Sequence, residues 1–358
     1  MASYDSPPTY RPEKLKYSPP SPLPHQRCPK YLILKRWGLA VLLSILTCLP
    51  VSAQELFLLG GIMRNTDNSD SGKAWQLEYR EGLGEHFAYS LTYMNEGHVQ
   101  SHHRDGNAAL LWTRLNLLDR RLSLAAGLGP YFYYDTIEAP GSNDHSNKHG
   151  WGTMASAAAT WYTDDRWLFQ LRANWIETFD NFDSISTLIG IGYQLEAPSR
   201  PGAAASPRPV ADAPTDNELT LFAGTTIVNS YDSQKSAAVG VEYRRGISRY
   251  MDWTVGWLYE GDNRLVRRDG LTTQFWAVKA FFEDRFTLGV GGGAYIVIDQ
   301  YHHLVENRDG RQALSGIMTL TGSYRFHPNW GLRTSWNRIV TNYDRDTDVI
   351  LGGVGYRF

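Results

Sequence analysis

Two kinds of charged cluster in this 358-residue chain have the residue types for chemistry. Glu78 stands two residues before Arg80, and Glu242 two before Arg244, with Arg172 and Arg333 further along as basic partners. A carboxylate beside guanidinium groups could hold a substrate or move a proton. It could equally fill an interior with ion pairs, because buried charges must be paired. The second cluster is Glu96, Arg104 and Asp105, matched by Glu260, Arg268 and Asp269. Acids and arginines in an exposed loop could grip divalent cations or the phosphates of lipopolysaccharide. Asp-Gly at 105–106 and at 269–270 also reads as an ordinary turn.

Histidine is a common metal ligand. His98, His102 and His103 fall in one segment, His145 and His149 in the next, and His302-His303 later. Histidines in a flexible loop lack the i, i+4 geometry of a built site, and the first group has no counterpart in the second half of the chain, so no metal is expected. Phosphate loops, nucleophile elbows and zinc motifs are absent from the sequence. The expectation is therefore no catalytic residue and no cofactor.

These charges belong to an internal repeat. Glu78-Tyr79-Arg80 returns as Glu242-Tyr243-Arg244, an offset of 164 (242 minus 78). The same offset carries Glu96-Gly97 to Glu260-Gly261, Trp112 to Trp276, and Gly127, Gly129 and Tyr131 to Gly291, Gly293 and Tyr295. Near the ends it drifts, so that Arg172 and Trp175 align with Arg333 and Trp336, and Gly192-Tyr193 with Gly355-Tyr356.

The elements that must position these residues alternate with period 2. Phe169, Leu171, Ala173 and Trp175 point one way and Gln170, Arg172 and Asn174 the other, which a helix of period 3.6 cannot do. Eight such segments fall in the first copy, near 55–65, 74–82, 86–95, 107–117, 121–135, 151–162, 166–177 and 185–195. Eight more fall near 218–228, 237–245, 250–260, 271–282, 285–299, 311–326, 330–338 and 348–358. Short turns at Gly82–Glu85, Leu118–Arg120 and Thr163–Asp165 alternate with longer polar links near 66–73, 96–106, 136–150 and 178–184. Short turns on one side and long loops on the other mark an outer-membrane barrel. Trp75, Tyr79, Tyr89, Tyr93, Trp161, Trp167 and Trp175 would form its aromatic girdles.

Residues 198–217, rich in proline and alanine, separate the copies. A single sixteen-stranded barrel would need only a short turn there, so two tandem eight-stranded antiparallel transmembrane barrels, 54–197 and 218–358, are expected, with the single barrel as the alternative. An eight-stranded barrel has room inside for side chains and no open pore. The last strand, with Ile350, Val354, Tyr356 and Phe358 on one face and an aromatic end, resembles the signal read by the outer-membrane assembly machinery.

Ahead of the barrels, Lys30, Lys35 and Arg36 precede an apolar run from Leu39 to Leu49 and a small-x-small site at Val51-Ser52-Ala53. This reads as a signal peptide over 30–53, too short for an anchor helix, with Gln54 as the mature start. Ile45-Leu46-Thr47 ahead of Cys48 lacks the small residue of a lipidation site. Residues 1–29 are polar, proline-rich and expected to be disordered. Both cysteines, Cys28 and Cys48, lie before the cleavage site, so no disulfide or thiol chemistry is expected in the mature chain. A net charge of −2 argues against nucleic acid as a partner. The mean hydropathy of −0.39 does not argue against a membrane, since inward and outward residues of a barrel cancel.

At the seventh and eighth segments the chain resembles the eight-stranded outer-membrane enzymes, the lipid A 3-O-deacylase family in particular. That family carries Arg-x-x-His-x-Ser on a late strand, its histidine and serine forming the catalytic pair. Here Arg172 is followed by Trp175 and Glu177, and Arg333 by Trp336 and Arg338. The resemblance implies the barrel plan, and the missing histidine and serine argue against deacylase activity. The expected role is non-enzymatic, in the envelope of a Gram-negative outer membrane: structural, surface-binding or assembly-related. A lipid A- or lipopolysaccharide-modifying enzyme is the alternative. Outer-membrane lipids, lipopolysaccharide and the assembly machinery are the expected partners.

Overall fold

The computed structural model describes residues 52–99, 101–138, 145–195, 217–230, 233–248, 250–282, 284–299 and 314–358. The expected N-terminal extension, almost all of the signal peptide and nearly all of the linker lie outside these residues. The described part is all β, with no helix.

The first copy forms β1 (Ser52–Asn65), β2 (Ser71–Leu83), β3 (Phe87–Val99), β4 (His102–Leu117), β5 (Leu122–Glu138), β6 (His145–Tyr162), β7 (Trp167–Thr178) and β8 (Ser184–Gln194). The second forms β9 (Glu218–Val228), β10 (Lys235–Ser248), β11 (Met251–Asp262), β12 (Arg267–Phe281), β13 (Phe286–Asp299), β14 (Leu314–His327), β15 (Trp330–Val340) and β16 (Thr347–Arg357). Neighbouring strands pair antiparallel in chain order, and each set closes on itself, β1 with β8 and β9 with β16. Two eight-stranded barrels result, and the sixteen-stranded alternative is excluded.

Alternation decides which side chains go where. On β4, Arg104, Leu110, Trp112 and Arg114 are buried inside, while Leu111 and Leu115 are exposed outside. On β7, Gln170, Arg172 and Asn174 are buried, and Phe169, Leu171 and Trp175 are exposed. Polar inside and apolar outside is the inverse of a soluble sheet, and it suits a surface solvated by lipid. Aromatic pairs repeat at the rim of short turns: Trp167 with Tyr193 at 5.1 Å between ring centroids, Trp330 with Tyr356 at 4.9 Å.

Three expectations are corrected. The long links are shorter than the apolar pattern implies: β3 and β4 run on to Val99 and from His102. Period-2 hydrophobicity marks a strand only while its outer face meets lipid, whereas backbone pairing continues beyond it. Tyr79, Tyr89 and Tyr93 are not all girdle residues. The Tyr79 and Tyr89 hydroxyls bond Glu81, and Tyr93 is buried against Trp336 of the second barrel.

The third concerns the repeated arginines. Trp167 pairs with Tyr193 across β7 and β8, as Trp330 pairs with Tyr356 across β15 and β16, so the structural offset there is 163 (330 minus 167). Arg172 is thus level with Ser335, and Arg333 with Gln170. The two arginines sit one inward layer apart.

Candidate functional site

The interior of each barrel holds two polar layers. In the first barrel, β2 points Glu78 and Arg80 inward, and β7 sends Arg172 across to meet them. Glu78 Oε1 accepts from Arg172 Nη2 at 2.6 Å and lies 2.8 Å from Arg80 Nη2, while Thr92 Oγ1 donates to Oε2 at 3.0 Å. Both guanidinium groups also stack on the Trp112 indole, at 4.3 and 4.5 Å from its ring. The indole fits because Gly127 on β5 has no side chain; a Cβ there would lie 2.6 Å from Trp112. Trp112 Nε1 donates to Ser90 Oγ at 2.9 Å. Glu78, Arg80, Arg172 and Trp112 are all fully or almost fully buried.

The second barrel varies this layer. Glu242 Oε1 accepts from Arg333 Nη1 at 2.8 Å and from Arg244 Nη2 at 3.5 Å. Arg333 sits one layer nearer the turn rim than Arg172, so it also reaches Glu218 on β9. Arg244 stacks on Trp276 at 4.4 Å and lies 3.4 Å from Asp252. Gln76 of the first barrel is replaced by Gly240, and a cavity of about 30 Å³ opens beside Gly240, Glu242 and Trp276. That volume holds a water or two and no organic substrate.

The second layer is nearer the long loops, and here the expected outer-loop ligand site is corrected. Glu96, Arg104, Glu260 and Arg268 are fully buried inside the barrels. Arg104 forms a fork with Glu96, 2.5 Å from Nε to Oε2 and 2.9 Å from Nη2 to Oε1, and donates from Nη1 to the Phe182 carbonyl. Tyr131 and Ser184 hydroxyls add hydrogen bonds to the same carboxylate. Arg268 repeats the fork on Glu260 at 2.6 and 2.7 Å, with Thr347 donating to Glu260 and Arg268 donating to the Arg345 carbonyl. With their donors engaged inside, these arginines are not presented to external phosphate.

A shared backbone device aims the two glutamates. The pairing slips between Asn95 and His98, and again between Tyr259 and Asp262, a bulge at the same place in both copies. Gly97 and Gly261 take φ of 75° and 90°, and a Cβ on them would lie 2.1 and 2.3 Å from the carbonyl oxygens of Lys73 and Ala237. The repeated Glu-Gly is therefore a bulge glycine with its inward acid.

Asp105 and Asp269 part company with their neighbours, because odd positions of β4 and β12 face outward. Asp105 accepts from Tyr93 Oη at 2.8 Å and from Arg338 Nη2 at 2.5 Å, and Asp269 accepts from Trp257 Nε1 at 3.0 Å. No turn forms at Gly106 or Gly270; both lie within strands.

The histidines spread over the loop rim. His102 Nδ1 is 2.6 Å from Asp135, the His98 and His103 rings stack at 4.2 Å, and His149 Nε2 is 2.5 Å from Asp346. Among the described residues no group of three or more histidines, cysteines or acids could hold a metal ion; His302 and His303 lie outside them.

Sequence reasoning missed Glu55, which accepts from Tyr162 Oη at 2.8 Å inside the first barrel, and the Gln76–Asn174–Ser186 chain at 3.0 Å per step. Inward strand parity was the available signal for all of them.

No family model matches the chain. No curated protein matches it either. Solved structures of similar outline include the N-terminal β-barrel domain of Pseudomonas aeruginosa OprF, 11% identical over 40% of this chain and 98% of that one, with a TM-score of 0.32. The attachment invasion locus protein Ail of Yersinia pestis is 12% identical over 40% of this chain and 98% of its own, TM-score 0.31. The translocator domain of autotransporter NalP from Neisseria meningitidis is 12% identical over 92% and 96%, TM-score 0.22. The twin-barrel architecture of this chain rests on its own strand pairing.

Proposed function

We infer that the chain is a non-enzymatic outer-membrane protein whose two filled barrels serve the envelope as a structural or surface-binding element. The observation that carries this reading is the arginine pairing of the interior glutamates in both charge layers. Glu78, Glu96, Glu242 and Glu260 each already receive an arginine, and Glu55 receives the Tyr162 hydroxyl. A general base or nucleophile needs a free lone pair within reach of substrate. The positions of the deacylase-type pair hold Trp175 and Glu177, and Trp336 and Arg338.

Placement in the outer membrane is supported by the exposed apolar belt and by barrel closure, which removes every unpaired sheet edge from lipid. Ile350, Val354, Tyr356 and Phe358 all face outward and are exposed, part of that belt. Outer-membrane lipids and lipopolysaccharide are then the surroundings of the belt.

The test is purified protein in detergent incubated with labelled lipopolysaccharide, with products read by mass spectrometry, and parallel conductance recording in planar bilayers. Unchanged lipid and no stable channel steps are expected. Release of an acyl chain or any other modification would overturn the non-enzymatic reading.

A further inference from the structure

A transmembrane barrel turns apolar side chains to lipid, and a charge there is unfavourable. Glu81 on β2, Asp105 on β4, Lys279 on β12 and Arg338 on β15 all have outward parity, yet each is mostly or wholly buried. What covers each is the other barrel. Near the turn rim, Lys279 Nζ lies 2.6 Å from Glu81 Oε1, while Oε2 accepts from the phenols of Tyr79 and Tyr89 at 2.7 and 2.6 Å. Toward the loop rim, Arg338 bridges Asp105 at 2.5 Å and Asp348 at 2.7 Å. Tyr93, which donates to Asp105, meets the Trp336 ring edge-on at 4.4 Å. Beyond that, the Asn147 backbone N–H donates to Asp344 Oδ1 at 3.0 Å.

The repeat supplies its own control. Strand register places Lys279 where the first barrel has Leu115. It places the cross-strand pair Arg338–Asp348 where the first barrel has Trp175–Ile185. Tyr134, buried against Met318 of the second barrel, stands where the second barrel has Ile298. The counterparts Leu115, Trp175, Ile185 and Ile298 are 56%, 53%, 49% and 57% exposed. At Lys279, Arg338, Asp348 and Tyr134 the touching face is polar where the free face is apolar, while Glu81 and Asp105 have charged counterparts in Arg245 and Asp269.

We propose that this seam is a built interaction surface: an intramembrane charge clasp through which the β2–β6 face of the first barrel binds the second barrel of the same chain. The contacts climb from β2 and β3 to β4, β5 and β6 on one barrel, and from β12 to β14, β15 and β16 on the other. Turn rim meets turn rim and loop rim meets loop rim, so one bilayer serves both belts. Parting the barrels would take Lys279 from Glu81 and Arg338 from Asp105 and turn these charges toward lipid. The linker only tethers what the clasp orients.

The experiment uses the full chain in outer-membrane vesicles, carrying Asn147→Cys and Asp344→Cys at the loop rim and a protease site within 198–217. No cysteine occurs among the described residues to compete. After mild oxidation and linker cleavage, the halves should stay joined on a denaturing, non-reducing gel. In a background of Arg338→Trp, Asp348→Ile and Asp105→Asn, the first two being the residues the first barrel itself carries at those sites, the rate of joining should fall at least tenfold. Retained heat-modifiability confirms that the second barrel still closes. Lys279→Leu, also borrowed from the first barrel, is the second variant should the triple fail to close, with an expected loss of threefold or more. No joining in the parent overturns the proposal, and so does equal joining in variants whose barrels close.

Discussion

Replacing Glu78 with alanine should be among the most damaging single changes to the first barrel. The carboxylate holds Arg172 at 2.6 Å and Arg80 at 2.8 Å, and all three side chains are at most 2% exposed. At an effective dielectric of about 20, two charges ~4 Å apart attract by about 4 kcal/mol, much of it offset by desolvation. Glu78→Ala removes both attractions and leaves two guanidinium groups on the Trp112 indole without their counter-charge. Breaking one buried pair costs about 3–5 kcal/mol, so the upper part of that range is expected. Glu242→Ala should cost less, about 1–3 kcal/mol: its Arg244 contact is 3.5 Å, and Arg333 keeps Glu218 as a second partner. Urea unfolding in detergent, followed by tryptophan fluorescence and the heat-modifiable gel shift, measures both. Combining Glu78→Ala with Arg172→Met should recover part of the loss, because the repelling charge leaves with its partner. A Glu78→Ala protein as stable as the parent would refute the reasoning, and so would a larger loss from Glu242→Ala.

Three further outcomes are expected. Gly97→Ala should destabilise the first barrel by about 1–3 kcal/mol in the same unfolding assay, since φ is 75° and the new Cβ would meet the Lys73 carbonyl. Mass spectrometry of protein extracted from membranes should find Gln54, or its pyroglutamate, at the N-terminus; a chain retaining Met1 or a lipid on Cys48 would contradict the export signal. Fragments 54–197 and 216–358 should each show the heat-modifiable shift of a closed barrel, as each ring is complete in its own strands.

The fold was legible because its physics is local: parity along β7, from Phe169 to Trp175, is a direct record of lipid on one side and polar lumen on the other. The inward role of Glu78 and Arg80 followed from the same parity. It failed at Glu96 and Arg104, where the strands leave the apolar belt and alternation no longer reports pairing; the Gly97 bulge and inward forks were hidden in what read as a loop. Arg172 and Arg333 were matched by letter, whereas the rim pairs Trp167–Tyr193 and Trp330–Tyr356 show a shift of one layer that sequence spacing alone cannot register. Asp105 and Tyr93 read as a loop acid and a girdle aromatic because nothing local in either copy names the surface that covers them.

An even number of antiparallel strands returns a chain to the side from which it set out. Gln54 and Gln194 stand at the same rim of the first ring, as Glu218 and Arg357 do in the second, where the short turns lie. A second ring could therefore be appended without any segment crossing the bilayer outside a barrel and without opening the ring already made. Tandem duplication of such a gene begins as a topologically silent event, and selection is left to work on one face at a time.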